Sequence, residues 1–327
     1  MNQLAIITQT HIIAGGDRAH VPALIAAAGE GASLRFLEFF AANIRNPHTR
    51  RAYARAVTEF LTWCDDQGVP SVAAVQPLHV AAWIEQQTRE HAAPTVKAQL
   101  AAIRHLFDWL VTGQVMPVNP AGSVRGPSHI VKVGKTTVLA PEEARTLIDS
   151  IEISTAIGLR DRALIGLMVF SFARIGAAVG MKVEDVFTQN RRLWVRLREK
   201  GGKEHAMPCH HNLETYLHAY IEGAGLAEDP KGPLFRTIGR GTSLLTRTPL
   251  PQANAYLMIG RRAAAAGIAT KLGNHSFRAT GITAYLKNDG TLEKAAQMAN
   301  HASTRTTQLY DRRREELSLD EVERIRV

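Results

Sequence analysis

Cysteine is nearly missing from this chain: Cys64 and Cys209 are the two among 327 residues. So far apart in sequence, they can neither frame a disulfide scaffold nor build a zinc site unaided. His210 and His211 follow Cys209 directly, but three adjacent ligands cannot converge on one ion without a further partner. No apolar run has the length that a membrane span requires. The opening Met-Asn-Gln-Leu-Ala-Ile-Ile has neither the basic flank nor the long apolar core of a secretory signal. Clustered carboxylates are also wanting. Adjacent pairs such as Asp65-Asp66 and Glu142-Glu143 fall on helix faces, so a metal-dependent nuclease or transposase lacks its ligand set. No cofactor, metal or membrane is expected. A reducing cytoplasm is the expected setting.

Positive charge is what the chain has in excess. A net charge of +9 and a pI near 9.8 point to a polyanionic partner. The excess is lopsided: residues 1–130 carry 10 Lys+Arg against 9 Asp+Glu, and residues 131–327 carry 29 against 21. A length of 327 residues is comfortable for two domains.

Apolar spacing divides the chain. The first 32 residues, with glycines at 15, 16, 29 and 31, read as a loosely ordered lead-in. Residues 33–115 carry four helical patterns. In the second, Val57, Phe60, Leu61 and Cys64 fall at i, i+3, i+4 and i+7. In the fourth, Val96, Leu100, Ile103, Phe107 and Leu110 follow Pro94 at steps of four, three, four and three. Residues 116–138, rich in proline, glycine and basic residues, read as a linker. From 139 onward the pattern is mainly helical, interrupted by Leu193–Leu197, a Gly201-Gly202 turn and Glu204–Pro208, a short β element. The apolar helix before it is expected to run from Arg160 to about Phe172.

Towards the C-terminus stand His275 and Arg278 in His-Ser-Phe-Arg, then His301, then Tyr310. Upstream lie Arg174, after an apolar stretch, and Lys200, beside the Gly-Gly turn. Cleaving a phosphodiester without metal needs a nucleophile, cations on the non-bridging oxygens, a proton donor for the leaving oxygen and an acceptor for the nucleophile's proton. A tyrosine supplies the first, and its ester conserves the bond energy for religation. Arginine's planar fork grips phosphate bidentately and stays charged. Singly, each residue has a plainer reading: a packing tyrosine, a cap cation, a solvated lysine, capping or surface histidines. Only the joint pattern is specific.

That pattern resembles the tyrosine recombinase family, the phage-integrase and Xer-like enzymes of DNA strand exchange. The family's Thr-Gly-Leu-Arg-Ile-Ser-Glu-Leu is matched by Ser171-Phe172-Ala173-Arg174-Ile175-Gly176-Ala177-Ala178, and its hairpin Gly-Lys-Gly-x-Lys-x-Arg by Lys200-Gly201-Gly202-Lys203-Glu204-His205. His275 to Arg278 matches the His-x-x-Arg box, and Asn300-His301 through Thr306-Thr307 to Tyr310 keeps the last box's nine-residue interval. The resemblance implies a mainly α fold, with an all-α SAM-like core-binding domain and a mixed α/β catalytic domain of the DNA breaking-rejoining type. It further implies that Tyr310 attacks the scissile phosphate to give a 3′-phosphotyrosyl link. Arg174, Arg278 and His301 would hold the phosphate, Lys200 would protonate the leaving 5′ oxygen, and His275 would take the tyrosine proton. The partner would be double-stranded DNA, with four protomers on two sites and a monomer or dimer off DNA. The segment after 312 would pack on a neighbouring protomer. Integration or resolution for a mobile element is the expected role; Xer-type dimer resolution and a non-catalytic DNA-binding relative are the alternatives. Three departures stand out: Ala177 where the family has an acidic residue behind its first arginine, Ala279 for a usual histidine, and Asn300 for glycine. The first means that another group supports Arg174 or that the arginine is held more loosely.

Overall fold

The computed structural model describes residues 21–129, 134–199 and 202–311. The lead-in up to residue 20, Lys200 and the helix expected from about 313 lie outside those residues. Two compact units divide the chain, Met1–Ile130 and Val131–Val327. Among the described residues no helix is long and apolar enough to cross a membrane.

The first unit is helical. It comprises α1 (Ala23–Ala26), α2 (Glu30–Glu38) continued by a π turn at Phe39–Asn43, α3 (Pro47–Asp66), α4 (Pro77–Glu90) and α5 (Ala93–Thr112). Proline in the first turn starts each of the last three, where its missing N–H costs nothing. Asn46 caps α3 by accepting from the backbone N–H groups of His48 and Thr49. The expected apolar positions of α3 and α5 are buried together. Phe60 lies edge-on to both Trp83 and Phe107.

Two expectations need correction here. The lead-in is not loose at its end: Leu24 and Ile25 of α1 are 2% and 0% exposed and belong to this core. A single helical turn is too short for its periodicity to register in sequence. Nor is the stretch from 116 a free tether. Met116, Ala121 and Val124 are buried in the same core. The Arg104 guanidinium donates to the carbonyls of Ala121 and Val124, and the Asn119 amide to the Arg104 carbonyl and the Asp108 carboxylate.

The second unit is built around α7 (Ala156–Phe170), which is buried on nearly every side and so has no amphipathic signal. Around it are α6 (Pro141–Asp149), α8 (Ile175–Val179), α9 (His211–Gly223), α10 (Gln252–Ala265), α11 (Ser276–Lys287), α12 (Leu292–Met298) and α13 (Thr304–Gln308). The expected β element is β2 (Arg192–Arg198) paired antiparallel with β3 (Glu204–Pro208), with Leu197 opposite His205. Three strands escaped sequence reading: β1 (Val186–Gln189), on the other edge of β2, and the ribbon of β4 (Arg236–Ile238) with β5 (Leu245–Pro249). They are three to five residues long, and two of them are rich in threonine and arginine rather than alternating apolar residues.

Helix α7 also ends earlier than expected. Phe172 has left the helix with φ 54°, a left-handed backbone that turns the chain and starts α8 with Arg174 at its N-cap. Arg174 is therefore not the C-terminal cation of the apolar helix but the first residue after a sharp turn. Helix α11 meets α7 at Gly281, where a Cβ would lie 2.0 Å from the Val169 carbonyl oxygen, so only glycine permits this approach.

Candidate active site

The turn at Phe172 turns its carbonyl towards α11, where Arg278, 2% exposed, donates to it. The same guanidinium donates to the Ala299 carbonyl at 2.6 Å and to His301 Nε2 at 2.7 Å. Arg278 thus joins the ends of α7 and α12. Burial is the main cause that pulls its pKa down to about 10; Arg174 adds repulsion, while Glu199 and Tyr310 oppose the shift. A charged fork held on carbonyls in a desolvated place is a strong and costly arrangement.

His301 is placed by the end of α12. Asn300 adopts φ 47°, its N–H bonds the Gln297 carbonyl, and the His301 N–H bonds the Ala296 carbonyl, the Schellman pattern of a left-handed helix stop. Asparagine fills this position for the family's glycine because its short polar side chain tolerates that backbone. An arginine has only donors, so His301 Nε2 accepts, and the ring carries its proton on Nδ1, which donates to Thr307 Oγ1 at 2.9 Å. Desolvation, Arg278 and Arg174, in that order, lower the His301 pKa to about 4, so the imidazole is neutral at pH 7.

Thr307 ties histidine to tyrosine. It is fully buried, and its carbonyl accepts from the Tyr310 N–H. The Tyr310 carbonyl accepts from Thr283 Oγ1 at 2.9 Å, and its ring lies 6.0 Å from that of His301, nearly parallel. Tyr310 also packs on a small apolar cluster of Phe172, Ile282, Leu286, Ala295 and Ala299. His275, exposed at the N-cap of α11, has its pKa lowered by partial desolvation and then by Arg278 and Arg174. Five of the six sequence-selected residues, Arg174, His275, Arg278, His301 and Tyr310, therefore converge. Lys200 is outside the described residues.

Arg174 is held by a carboxylate that sequence reasoning did not single out. Its Nη1 donates to Glu199 Oε2, and the Glu199 side chain is 3% exposed. On the same face of the hairpin, His205 has both ring nitrogens buried with no partner among the described residues. Its pKa is lowered, chiefly by desolvation. The available signal for Glu199 was the combination of Ala177, which leaves Arg174 unsupported, with an extra carboxylate in Arg-Glu-Lys-Gly-Gly. Thr307 stood in the last matched box without a role assigned to it, and Thr283 gave no signal beyond an ordinary helix threonine. By contrast, Cys209-His210-His211 is not assembled as a ligand set: the His210 ring stacks on Phe170, and its Nδ1 caps α9.

Two arginines, two histidines held neutral and a phenol on one mainly helical unit form a site for an anion with a hydroxyl beside it. The phage integrase family matches residues 137–316, and the phage integrase N-terminal SAM-like domain matches residues 35–114. The chain belongs to the phage integrase family, the tyrosine-type site-specific recombinases. It is similar to the tyrosine recombinase XerC of Myxococcus xanthus, 25% identical over 286 residues that span 84% of this chain and 91% of the relative. XerC of Salmonella typhi is 24% identical over 279 residues, 84% and 89% of the two chains. Among solved structures, the fold is shared by XerH recombinase in a post-cleavage complex with difH substrate (TM-score 0.66, 19% identity, 90% of this chain and 83% of that one). A lambda integrase dimer bound to a core site also shares it (TM-score 0.64, 18% identity, 87% and 95%).

Proposed function

We propose that this recombinase cuts and rejoins duplex DNA through a covalent link to Tyr310. The carrying observation is the buried Arg278 guanidinium, which donates to His301 while the Tyr310 ring lies 6.0 Å from that histidine's and nearly parallel to it. A cation seated there neutralises a phosphate and faces the oxygen that must become nucleophilic. The phenol oxygen attacks phosphorus as the bond to the 5′ oxygen breaks. His275 takes the phenol proton, Lys200 gives one to the departing 5′ oxygen, and Arg174 and Arg278 hold the non-bridging oxygens, joined by His301 once DNA binding frees its ring N–H from Thr307 or its Nε2 from Arg278. Religation is the reverse. The XerH, lambda integrase and tetrameric lambda integrase structures are complexes with DNA, which supports duplex DNA as partner and four protomers on two sites as the working assembly.

The finer role proposed is integration or resolution for a mobile element, in keeping with the phage integrase description of the catalytic region. The XerC names of the curated relatives favour a second reading, dimer resolution. One experiment tests both levels. Nicked duplexes from around the gene and from the host chromosome are incubated with protein in EDTA and run on denaturing gels. A metal-free adduct that Tyr310→Phe abolishes supports the mechanism, and cleavage only with magnesium overturns it. Adducts at the ends of an element carrying the gene support the first role; adducts at one remote chromosomal site support the second.

A further inference from the structure

We infer that Glu199 is the positioning residue that seats Arg174 for phosphate binding, in place of the carboxylate missing from position 177. This rests on the phosphodiester-cleavage reading above. Arg174 sits at the N-cap of α8, a helix of five residues, with an extended backbone and a side chain 35% exposed. A long side chain leaving such a turn has many rotamers, and fixing it costs conformational entropy. Nothing on α8 restrains it, because position 177 is a buried alanine. The restraint comes from across the fold. Glu199 follows β2, its N–H bonds the Lys203 carbonyl across the hairpin, and one oxygen of its buried carboxylate accepts from Arg174 Nη1.

The carboxylate is expensive where it stands. Glu199 Oε1 has no hydrogen-bond partner among the described residues. An unpaired buried oxygen of this kind carries a desolvation cost, and a surface pair would hold Arg174 without it. Glu199 also acts electrostatically on Arg278 and on His205, so one negative charge lies behind both arginines. It precedes Lys200 in the chain. The position of the first arginine is thereby tied to the hairpin that carries the lysine, rather than to the arginine's own helix.

The test measures single-turnover adduct formation on a nicked duplex that wild-type protein cleaves, with DNA affinity measured on the same duplex. The variants are Glu199→Gln, isosteric and neutral, Glu199→Met, which fills the volume without polar atoms, and Glu199→Asp. Misplacing a clamp without removing it predicts a saturating rate lowered ~10- to 100-fold for the first two, with affinity within about threefold. The aspartate, which restores the charge, should recover at least part of the rate. Either neutral variant, natively folded, cleaving within about twofold of wild type overturns the inference. So does a loss confined to affinity, or an aspartate as slow as the glutamine. If wild-type protein forms no Tyr310-dependent adduct on any duplex, the cleavage reading itself fails and Glu199 is not the cause.

Discussion

The two units bury different kinds of residue. Among the described residues, the buried polar side chains of the first unit are Gln87 and Gln99, bonded to each other at 3.0 Å. The second buries Arg160, Asp161, Asp185, Glu199, Arg236 and Arg278. Some of this is architecture: Asp161 receives Arg160 on one oxygen and Arg262 on the other, and Arg160 also donates to the Arg236 carbonyl. Arg278, Glu199 and the histidines beside them are different. Buried ion pairs rarely stabilise a fold as well as apolar residues of the same size. Charge kept inside at the expense of stability marks where chemistry is done. The first unit is held by shape; the second holds a site despite its packing.

Substitutions can break that contrast. Phe60→Ala removes the ring between Trp83 and Phe107 and is expected to cost ~3–5 kcal/mol of folding stability, read by chemical denaturation. A loss below 1 kcal/mol would show that the first unit's core does not rest on this packing. Arg278→Ala should instead appear in the chemistry, lowering adduct formation by at least ~100-fold. Arg278→Lys keeps the charge but loses the fork that spans Phe172, Ala299 and His301 and should recover little. Near-normal cleavage by either variant would make Arg278 a structural tie between helices and nothing more.

Acid sharpens the contrast further. The His301 pKa falls from 6.5 to about 4 in the folded chain, and those of His275 and His205 are also lowered. A lowered histidine pKa means that the folded state resists protonation. The stability it contributes is fully present above pH 6.5 and is withdrawn as pH falls from there through 4. Thermal melts between pH 7 and pH 4.5 should therefore show falling stability, and His301→Gln should flatten part of the slope. An unchanged slope would mean that His301 is more solvated than its contacts with Arg278 and Thr307 imply.

What could be read from sequence follows the same division. The helices of the first unit announce themselves because packing by shape writes a period of 3.6 into the chain, as Val96 to Leu110 do. The single turn at Leu24-Ile25 and the returning stretch at 116–124 have no period and were misread. In the second unit the candidate residues were legible as a set, because chemistry restricts residue type and interval, and five of the six are brought together. Their supports were not legible. Glu199 and the Phe172 carbonyl reach the site through strand pairing and a turn, Thr283 through the packing of α11, and the left-handed residue at 172 is a phenylalanine, which no turn rule would select.

The weakest test of the contrast is the glutamine pair. Replacing Gln99 alone by leucine leaves Gln87 Oε1 buried without its donor, a penalty of ~1–3 kcal/mol. Replacing both removes donor and acceptor together, and two leucines of similar volume should come back to within ~1 kcal/mol of wild type, because an apolar pair needs no partner. Double-mutant denaturation measures the difference. If the double variant recovers, this buried polar contact of the first unit is exchangeable for packing. No apolar substitution at Glu199 or Arg278 should be exchangeable in that way without loss of cleavage. If instead the leucine pair stays as unstable as the single variant, the glutamines fix the α4–α5 register, and the first unit too relies on a polar contact that shape alone cannot replace.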